Sequence, residues 1–291
     1  MKLFPMIGAL LVVVIANPVQ AQRRDLPTVR MCTGLKGLNY YWVGEQIKNQ
    51  AKNLINLELL TSKGSLDNID KLNANECDVA LIQSDATIAA NNAGGIEVGE
   101  PLYTEYFHLI CNTGANVDRV TDLNQKTKIL LGDPGSGAET TWASFVKADP
   151  DRYGKVPHDP KGGQRAAGLV KNGDDAACMA VVTGLKSQGI NDINEIAKTS
   201  DNMRLIPSDD SDILRIKDAK GRNVYTKVTI PGATYSGLQH GWFSTAVNTI
   251  GVQAMIAANT EFLDKNSPAY NQFLRAMHNA LPTIRAKLQP E

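Results

Sequence analysis

The sequence has no excess of charge of either sign. Thirty Lys and Arg residues balance thirty Asp and Glu residues over 291 positions, so the formal net charge is +0. Nucleic-acid-binding proteins normally carry a basic excess, and this chain has none. With 43% hydrophobic and 21% charged residues, the composition is that of an ordinary globular protein. At roughly 100–200 residues per domain, the length predicts two lobes.

The spacings that usually hold metal ions are also missing. The four histidines are scattered, and the chain contains neither C-x-x-C nor H-E-x-x-H. Such spacings bring several ligand atoms onto one ion. We therefore expect no metal site and no cofactor. The G-x-S-x-G elbow is absent as well, which argues against a serine hydrolase on an α/β fold.

Cysteine is rare, with only Cys32, Cys77, Cys111 and Cys178. In an oxidising compartment, four cysteines allow three complete pairings. Cys32, Cys111 and Cys178 also lie in apolar runs, where a buried free thiol packs as a small hydrophobe. The sequence therefore leaves disulfides and free thiols equally open.

Long apolar runs are confined to the N-terminus. Lys2 precedes an apolar run from Ile7 to Ala16, and Val19-Gln20-Ala21 supplies small residues where a signal peptidase reads them. The run is shorter than the ~20 apolar residues of a membrane span. It predicts a cleaved signal peptide over residues 1–21 and a periplasmic mature protein, with an uncleaved anchor as the alternative.

Short apolar runs alternate with helical patterns along the rest of the chain. The apolar run from Val29 to Thr33 is followed by Val43, Ile47 and Ala51 at spacings of four. This spacing is close to the period of one helix face. This alternation predicts an α/β fold of two lobes, each a mostly parallel sheet flanked by helices. The predicted strands include Val29 to Thr33, Val79 to Ile82, Lys128 to Leu131 and Cys178 to Val182, of which the second and fourth are expected to be buried.

Two apolar segments are placed to cross between the lobes. They are Tyr106 to Cys111 and Trp242 to Val247, which predict hinges near 106–111 and 241–247. The lobes would then be residues 22–108 with 241–291, and residues 109–240.

Two helices are expected at the C-terminal end. Their apolar patterns cover Val252 to Phe262 and Tyr270 to Leu288. Pro282 is expected to kink the second helix, because proline removes a helical hydrogen bond.

The loops after the predicted strands are polar or rich in glycine. In open α/β sheets, ligands bind beyond the carboxyl ends of the strands. Two lobes joined by crossing strands would turn these ends toward one cleft, which suits capture of a small polar anion and closure about the hinges. The loops concerned are Thr33 to Tyr41, Gln83 to Asp85, Gly135 to Thr140 and Thr183 to Lys186.

The glycine-rich loop from Gly132 to Gly137 is the most suggestive of these features. It lies between a predicted strand and a predicted helix, where free N–H groups can bind an anion. We expect Ser136 to contact an acidic group of the ligand together with the N–H groups of Gly137 and Ala138. The alternatives are that the loop is only a tight connection and that Ser136 only caps the helix.

Four segments, in the same order, resemble TAXI-type solute receptors of TRAP transporters. The segment from Thr33 to Gly44 is similar to the T-G-x-x-G-x-Y-Y-x-x-G opening of that family, and Asn75 to Asp85 is similar to its G-E-A-D-L-A-x-x-Q-S-D segment. Gly132 to Gly137 matches the G-x-P-G-S-G loop, and Thr229 to Tyr235 matches the I-P-A-G-T-Y segment. The matches span most of the predicted mature chain.

The resemblance implies a type II periplasmic-binding-protein fold with the ligand between two α/β lobes. Relatives bind glutamate-like amino acids or other small carboxylates. Carried over position by position, with Lys36 added as a source of positive charge, the implied ligand contacts are Thr33, Gly34, Lys36, Asn39, Tyr40, Gln83, Ser84, Asp85, Gly135, Ser136, Gly137, Val182, Thr183 and Gly184.

One departure bears on the ligand. Many relatives have threonine and then a basic residue after G-S-G, whereas this chain has Ala138 and Glu139. A carboxylate there would repel an anionic ligand unless it points to solvent or binds an ammonium group. Lys36 and Lys186 are then the candidate sources of positive charge.

The resulting hypothesis is a monomeric receptor that delivers a small carboxylate to the permease of a TRAP-type transporter and performs no chemistry. A receptor of the same fold for an ABC importer or a sensor protein is the first alternative, because a fold does not determine its partner. An exported enzyme that uses the same cleft is the second.

Overall fold

Strands and helices alternate over most of the chain, as the sequence predicts. The computed structural model describes residues 25–90, 92–240 and 245–289, so the predicted signal peptide lies outside the described residues. The strands are β1 (Thr28–Cys32), β2 (Asn56–Leu60), β3 (Val79–Gln83), β4 (Ile96–Asn112), β5 (Ile129–Leu130), β6 (His158–Asp159), β7 (Cys178–Thr183), β8 (Met203–Ile206), β9 (Tyr225–Ile230) and β10 (Val247–Asn259). The helices are α1 (Asn39–Ala51), α2 (Ser65–Asn73), α3 (Ala86–Ala89), α4 (Gly137–Ala148), α5 (Gly163–Asn172), α6 (Gln188–Ala197), α7 (Ser211–Leu214) and α8 (Thr260–Leu288).

The described strands form one ten-stranded sheet with two parallel regions. The main order is β2-β1-β3-β10-β4-β7-β5-β6, while β8 pairs with β4 and β9 with β10. β1 runs parallel to β2 and β3, and β5 runs parallel to β6 and β7. Between the two regions, β10 and β4 run antiparallel to their neighbours. Each parallel region is the centre of one lobe.

Each lobe has its own hydrophobic core. In the first lobe, Val43, Ile47 and Ala51 on α1 pack with buried side chains of β1, β3 and α8. In the second lobe, Trp142 and Phe145 on α4 pack among aromatic rings and buried side chains of β5 and β7. A further cluster in the second lobe lies beneath α5 and α6. Apolar positions at helical spacing therefore fix each helix against its sheet.

β4 and β10 are long strands that pass from one lobe to the other. β10 pairs with β4 from Gly251, opposite Tyr106, to Asn259, opposite Ile96. From Tyr106 onward, β4 pairs with β7 instead. The predicted crossing at Tyr106–Cys111 therefore lies within β4, and the second predicted crossing lies partly outside the described residues. The lobe boundaries and hinges drawn from these crossings stay predictions.

The predicted helix over Val252 to Phe262 is wrong. Residues up to Asn259 belong to β10, and α8 begins only at Thr260. Val252, Ala254 and Ile256 are buried, and so are the alanines that follow. A strand buried on both faces has no alternation of polar and apolar residues, so its sequence looks like that of a buried helix.

The predicted kink also lies elsewhere in α8. The helical backbone is interrupted at Asn266 (φ −132°, ψ 32°), just before Pro268, and not at Pro282. A proline ring constrains the preceding turn, which explains the position of the break.

Among the described residues, no helix has the length and apolar character that a membrane span requires.

The four cysteines form two disulfides. Cys32 is joined to Cys77, and Cys111 is joined to Cys178, with none of the four left free. Cys111 and Cys178 lie directly opposite each other on β4 and β7. The structure therefore selects one of the three pairings that the sequence left open.

Candidate functional site

A cavity of about 680 Å³ lies between the two lobes. The first lobe contributes residues before and within α1, around the start of α2, at the end of β3 and on β4. The second lobe contributes the loops before α4, α5 and α6 and the end of β7. The residues of the walls are Gly34, Leu35, Gly37, Leu38, Asn39, Tyr40, Lys63, Gly64, Ser65, Gln83, Glu105, Leu131, Gly132, Asp133, Pro134, Ser136, Gly137, Ala138, Gly162, Gly163, Ala180, Val181, Val182, Thr183, Ser187, Gln188, Gly189 and Ile193.

Five helices begin at the walls of this cavity. Their first residues are Asn39 in α1, Ser65 in α2, Gly137 in α4, Gly163 in α5 and Gln188 in α6. The first N–H groups of a helix have no partner within the helix, and the N-terminal end carries partial positive charge. The cavity therefore offers N–H donors and a positive potential to an anion.

Ser136 caps α4. Its hydroxyl accepts a hydrogen bond from the N–H of Glu139 at 3.4 Å and donates to the carbonyl oxygen of Leu131 at 2.8 Å. The Glu139 carboxylate accepts the N–H of Gly135. The hydroxyl hydrogen and one loop N–H are thus used within the loop, whereas no described acceptor takes the N–H of Gly137 or Ala138.

Gln83 presents an amide group without partners to the cavity. The residue is 1% exposed and lines the wall, and neither Oε1 nor Nε2 has a hydrogen-bond partner among the described residues. Burial of a polar group without a hydrogen-bond partner costs free energy. The site therefore favours a ligand that forms hydrogen bonds with the Gln83 amide. A Cβ atom added to Gly137 would lie 2.8 Å from Oε1 of Gln83. The glycine therefore allows the two lobes to approach here.

A chain of hydrogen bonds crosses the cleft. Nδ2 of Asn39, on α1, donates to Oγ1 of Thr183 at 2.7 Å, and Thr183 donates to Oγ of Ser187 at 2.8 Å. The three side chains join the N-terminus of α1 to the end of β7 and the start of α6. This polar contact holds the two lobes against each other.

Glu105 is the acidic group in the cavity wall on β4. The residue is 4% exposed. Its carboxylate accepts hydrogen bonds from the hydroxyl of Tyr40 at 3.3 Å and the hydroxyl of Tyr103 at 3.2 Å. Burial raises the pKa of Glu105 to about 8, with a smaller contribution from the charge of Asp85. A pKa near 8 leaves most of this carboxyl protonated at pH 7, and it ionises as the pH rises through about 8.

Comparison with known proteins places this architecture in a family. The match to the NMT1-like family covers residues 31–286. The chain belongs to the NMT1-like family. No curated protein matches it.

Solved structures share the two-lobed fold of this NMT1-like chain at low sequence identity. The glutamate-bound GluR0 ligand-binding core from Nostoc punctiforme superposes with a TM-score of 0.51 at 9% identity, covering 90% of this chain and 100% of that one. A protein from Listeria monocytogenes named for an L-cystine ABC transporter gives 0.50 at 10% identity, covering 91% and 97%. The substrate-binding protein of an amino acid ABC transporter gives 0.50 at 8% identity, covering 91% and 100%. The predicted fold class, the two-lobed type II periplasmic-binding-protein fold, is confirmed.

Eight of the predicted site residues line the cavity. They come from all four predicted loops and meet in the folded NMT1-like chain although they are far apart in sequence. They are Gly34, Asn39, Tyr40, Gln83, Ser136, Gly137, Val182 and Thr183.

Three predicted residues of the first lobe lie behind the cavity wall or away from it. Thr33 is fully buried and donates its hydroxyl to the carbonyl of Leu60 at 2.9 Å. Lys36 is exposed, with Nζ 5.9 Å from the ring centroid of Tyr41. Ser84 donates to a carbonyl oxygen of the second lobe at 3.3 Å. Lys186, the other proposed cation, is exposed and is not part of the wall.

Asp85 is buried where the lobes meet and is not part of the cavity wall. Its Oδ2 accepts hydrogen bonds from Thr141 of α4 at 2.7 Å and from Tyr225 of β9 at 2.8 Å. Burial raises its pKa to about 6, and these two hydrogen bonds oppose the shift. Asp85 thus joins the lobes through a buried polar network.

The last two predicted residues, Gly135 and Gly184, are backbone contact points. The carbonyl oxygen of Gly135 faces Gly64 of the first lobe so closely that a Cβ atom at 64 would overlap it. A Cβ atom at Gly184 would lie 2.6 Å from the carbonyl oxygen of Leu288, which also accepts the N–H of Leu185 at 3.2 Å. The absence of a side chain at Gly64 and Gly184 therefore lets the second lobe pack against the first.

The sequence interpretation missed Glu105, Lys63 and Ser65. Glu105 did carry a signal, since it is the one acidic residue in the apolar-rich part of β4 from Pro101 to Asn112. A buried charged side chain is rare unless it has a function or a partner. Lys63 and Ser65 carry no distinctive signal, because only the tertiary arrangement of β2 and α2 brings them to the cavity.

Proposed function

We propose that this chain is an extracytoplasmic solute receptor that captures a small carboxylate between its lobes. The decisive observation is that the N-termini of five helices and the unpartnered amide of Gln83 meet at one cavity of about 680 Å³. That volume lies within the roughly 300–1,000 Å³ range of small-molecule sites. Helix N-termini favour anions, and the Gln83 amide offers both a donor and an acceptor.

The ligand contacts follow from the donors that remain free. The N–H groups of Gly137 and Ala138 would bind a carboxylate at the start of α4, with the amide of Gln83 beside it. Asn39 and Thr183, which are hydrogen-bonded to each other across the cleft, would hold the lobes closed around the ligand. The predicted hinges near 106–111 and 241–247 would allow this movement, since β4 and β10 carry the chain between the lobes.

Thermal unfolding in the presence of small carboxylates tests this proposal. A ligand present at 100 times its dissociation constant stabilises the folded state by about 2.7 kcal/mol. The panel contains amino acids, dicarboxylates and monocarboxylates, with uncharged sugars as controls. Stabilisation by carboxylates and not by sugars supports the receptor function. Stabilisation by no carboxylate at saturating concentration refutes it.

The membrane partner follows from two different lines of support. The four TAXI-like segments favour the permease of a TRAP-type transporter, which we take as the first candidate. The fold shared with ABC-transporter proteins supports an ABC importer as the second. Ligand-dependent uptake by vesicles that contain either type of permease would separate the two partners.

An enzymatic role has less support from the site. Among the described residues of the cavity wall there is neither histidine nor cysteine. The hydroxyls of Ser136 and Thr183 already donate to other groups, so neither is paired with a general base. Recovery of the bound carboxylate unchanged after long incubation supports a receptor, and its conversion to a product supports an enzyme.

A further inference from the structure

Among the described residues, Glu105 has no cationic partner of the kind that a buried carboxylate usually has. Its two hydrogen bonds, from Tyr40 and Tyr103, both come from neutral hydroxyl groups of the first lobe. A carboxylate has about four lone-pair positions, so about half of its capacity is free. Because Glu105 also lines the cavity, this free capacity is available to a ligand.

The charged groups around Glu105 do not supply the missing cation. Asp85 carries charge of the same sign, and Val252, opposite on β10, carries none. On α8, which packs against β4, Arg285 donates to the carbonyl oxygens of Pro101 and Leu102 on that strand. Lys287 of α8 lies 4.2 Å from the centroid of an indole ring. Both cations of this part of α8 are thus used elsewhere.

Lys63 is the one basic residue among the described residues of the cavity wall. It lies beside the contact between Gly64 of the first lobe and Gly135 of the second. The residue is exposed, and its Cβ is 3.6 Å from the Cβ position of Gly135. The loop at Gly135 leads directly into α4, where free N–H groups favour an anion. The α4 side of the cavity therefore has N–H donors and Lys63, together with the acidic Asp133 of the same loop, while β4 carries an acid with no cation beside it among the described residues.

We propose that Glu105 binds a cationic nitrogen of the ligand, so that the receptor selects small zwitterions over carboxylates that lack an amine. This inference rests on the proposed carboxylate-binding function. The ammonium hydrogens would occupy the free lone pairs of Glu105, while the hydroxyls of Tyr40 and Tyr103 hold the carboxylate in place. A carboxylate of the same ligand would lie at the N-terminus of α4.

The pH dependence of binding distinguishes this proposal from its main rival. If Glu105 binds an ammonium group, it must be ionised, so affinity rises with pH up to the pKa of about 8 and then levels off. Binding below that pKa then releases a proton. If Glu105 instead stays protonated and donates to a second carboxylate, affinity falls as the pH rises through the same range, and binding takes up a proton.

The experiment compares ligands that differ by one amine. Calorimetry at pH 6.5 and 8.5 measures binding of L-glutamate against glutarate and of L-alanine against propionate. Glu105→Gln removes the charge at nearly constant shape. Glu97→Gln on the same strand is the matched control, because Glu97 is exposed. We expect the wild type and the control to bind at least one amino acid ten or more times as tightly as its amine-free partner. Glu105→Gln should lose this preference.

Each outcome bears on one of the two proposals. Equal affinities within both pairs, or tighter binding of the amine-free compounds, would overturn the assignment of Glu105 while leaving the carboxylate receptor intact. Binding by none of the four compounds would overturn the assignment of Glu105, while the thermal panel of carboxylates decides the receptor function separately. Should Glu105→Gln fail to fold, the wild-type affinities at the two pH values decide: a fall in amino acid affinity at pH 8.5 overturns the assignment.

Discussion

Asn39 and Thr183 join the two walls of the cleft by a hydrogen bond of 2.7 Å between Nδ2 and Oγ1. The two residues are 144 positions apart in sequence, and they belong to different lobes. The bond can exist only while the lobes are in contact. It therefore stabilises the closed arrangement at the place where the ligand is expected.

Replacement of Asn39 by alanine should weaken ligand binding more than folding. A neutral hydrogen bond contributes about 0.5–1.5 kcal/mol, which corresponds to a roughly two- to tenfold loss of affinity. Asn56→Ala is the control, because Nδ2 of Asn56 makes a similar bond to Thr28 within one lobe, at 3.1 Å. Calorimetry with the best carboxylate from the thermal screen measures the effect. A similar loss of affinity in both variants would contradict a role for the cross-cleft bond.

Replacement of Gly137 by alanine should impair closure of the cleft. The new methyl group would lie 2.8 Å from Oε1 of Gln83, which forces either the side chain or the lobe to move. We expect at least a tenfold loss of affinity, together with a larger radius of gyration in the presence of ligand. Gly168→Ala on α5 is the control, since its Cβ would meet nothing within 4 Å. That control should gain about 0.4–1 kcal/mol of stability without change in affinity. Unchanged binding by Gly137→Ala would show that the two lobes do not close on this contact.

Ser136→Ala should act on stability through the cap of α4. The serine hydroxyl both accepts from Glu139 and donates to Leu131. Loss of an N-cap costs about 0.5–2 kcal/mol of unfolding free energy. We expect affinity to change by less than about threefold, because the N–H groups of Gly137 and Ala138 remain. Urea unfolding and calorimetry on the same sample separate the two effects. A tenfold loss of affinity at unchanged stability would assign the hydroxyl itself to the ligand.

The stability of the protein should depend on pH through Asp85. Burial raises the pKa of Asp85 from 3.8 to about 6, so the folded state binds the proton more tightly than the unfolded state. The contribution of Asp85 is therefore greatest at low pH and decreases as the pH rises to about 6. The unfolding free energy of the wild type minus that of Asp85→Asn should fall by roughly 2.4 kcal/mol between pH 4 and 7.

Urea unfolding at several pH values measures this difference. Asp151→Asn is the control, because the Asp151 side chain is 97% exposed, and the corresponding difference should stay nearly constant. A wild-type advantage over Asp85→Asn that grows with pH would show that Asp85 is stabilised as an anion in the folded state.

The disulfide between Cys111 and Cys178 should contribute substantially to stability. It closes a loop of 67 residues between β4 and β7, and such crosslinks typically stabilise by about 2–4 kcal/mol. The double variant Cys111→Ala/Cys178→Ala should lose about that much unfolding free energy. Peptide mapping without reduction should find 111 linked to 178 and 32 linked to 77. Any other linkage would contradict the observed pairing.

The alternation of strands and helices was predictable because each buried element follows a simple pattern. Short apolar runs such as Val79 to Ile82 have the length of a strand, and α1 shows a helical period. β10 was not predictable in this way, because burial on both faces removes its alternation. The break in α8 depends on which of two prolines, Pro268 or Pro282, the packing accommodates.

The candidate site was predictable to the extent that it lies in loops after strands. Gln83 and Thr183 end their strands and reach the cavity, as the rule for open α/β sheets predicts. Asp85 lies two residues beyond Gln83, yet it turns into the contact between the lobes. The sequence could not show that Gln83 faces the cavity and Asp85 faces the second lobe, because the direction of each side chain depends on where α4 and β9 pack. Glu105 escapes the same rule because it lies within β4 and not in a loop after a strand, where ligand contacts are expected.

A backbone hydrogen bond at Leu288 joins the C-terminal end of α8 to the second lobe. The carbonyl oxygen of Leu288 accepts the N–H of Leu185, two residues after Thr183. A 29-residue helix of the first lobe is thus anchored beside the wall of the second lobe. Because α8 ends at Leu288, separation of the two lobes would have to break this hydrogen bond or move the C-terminal end of α8.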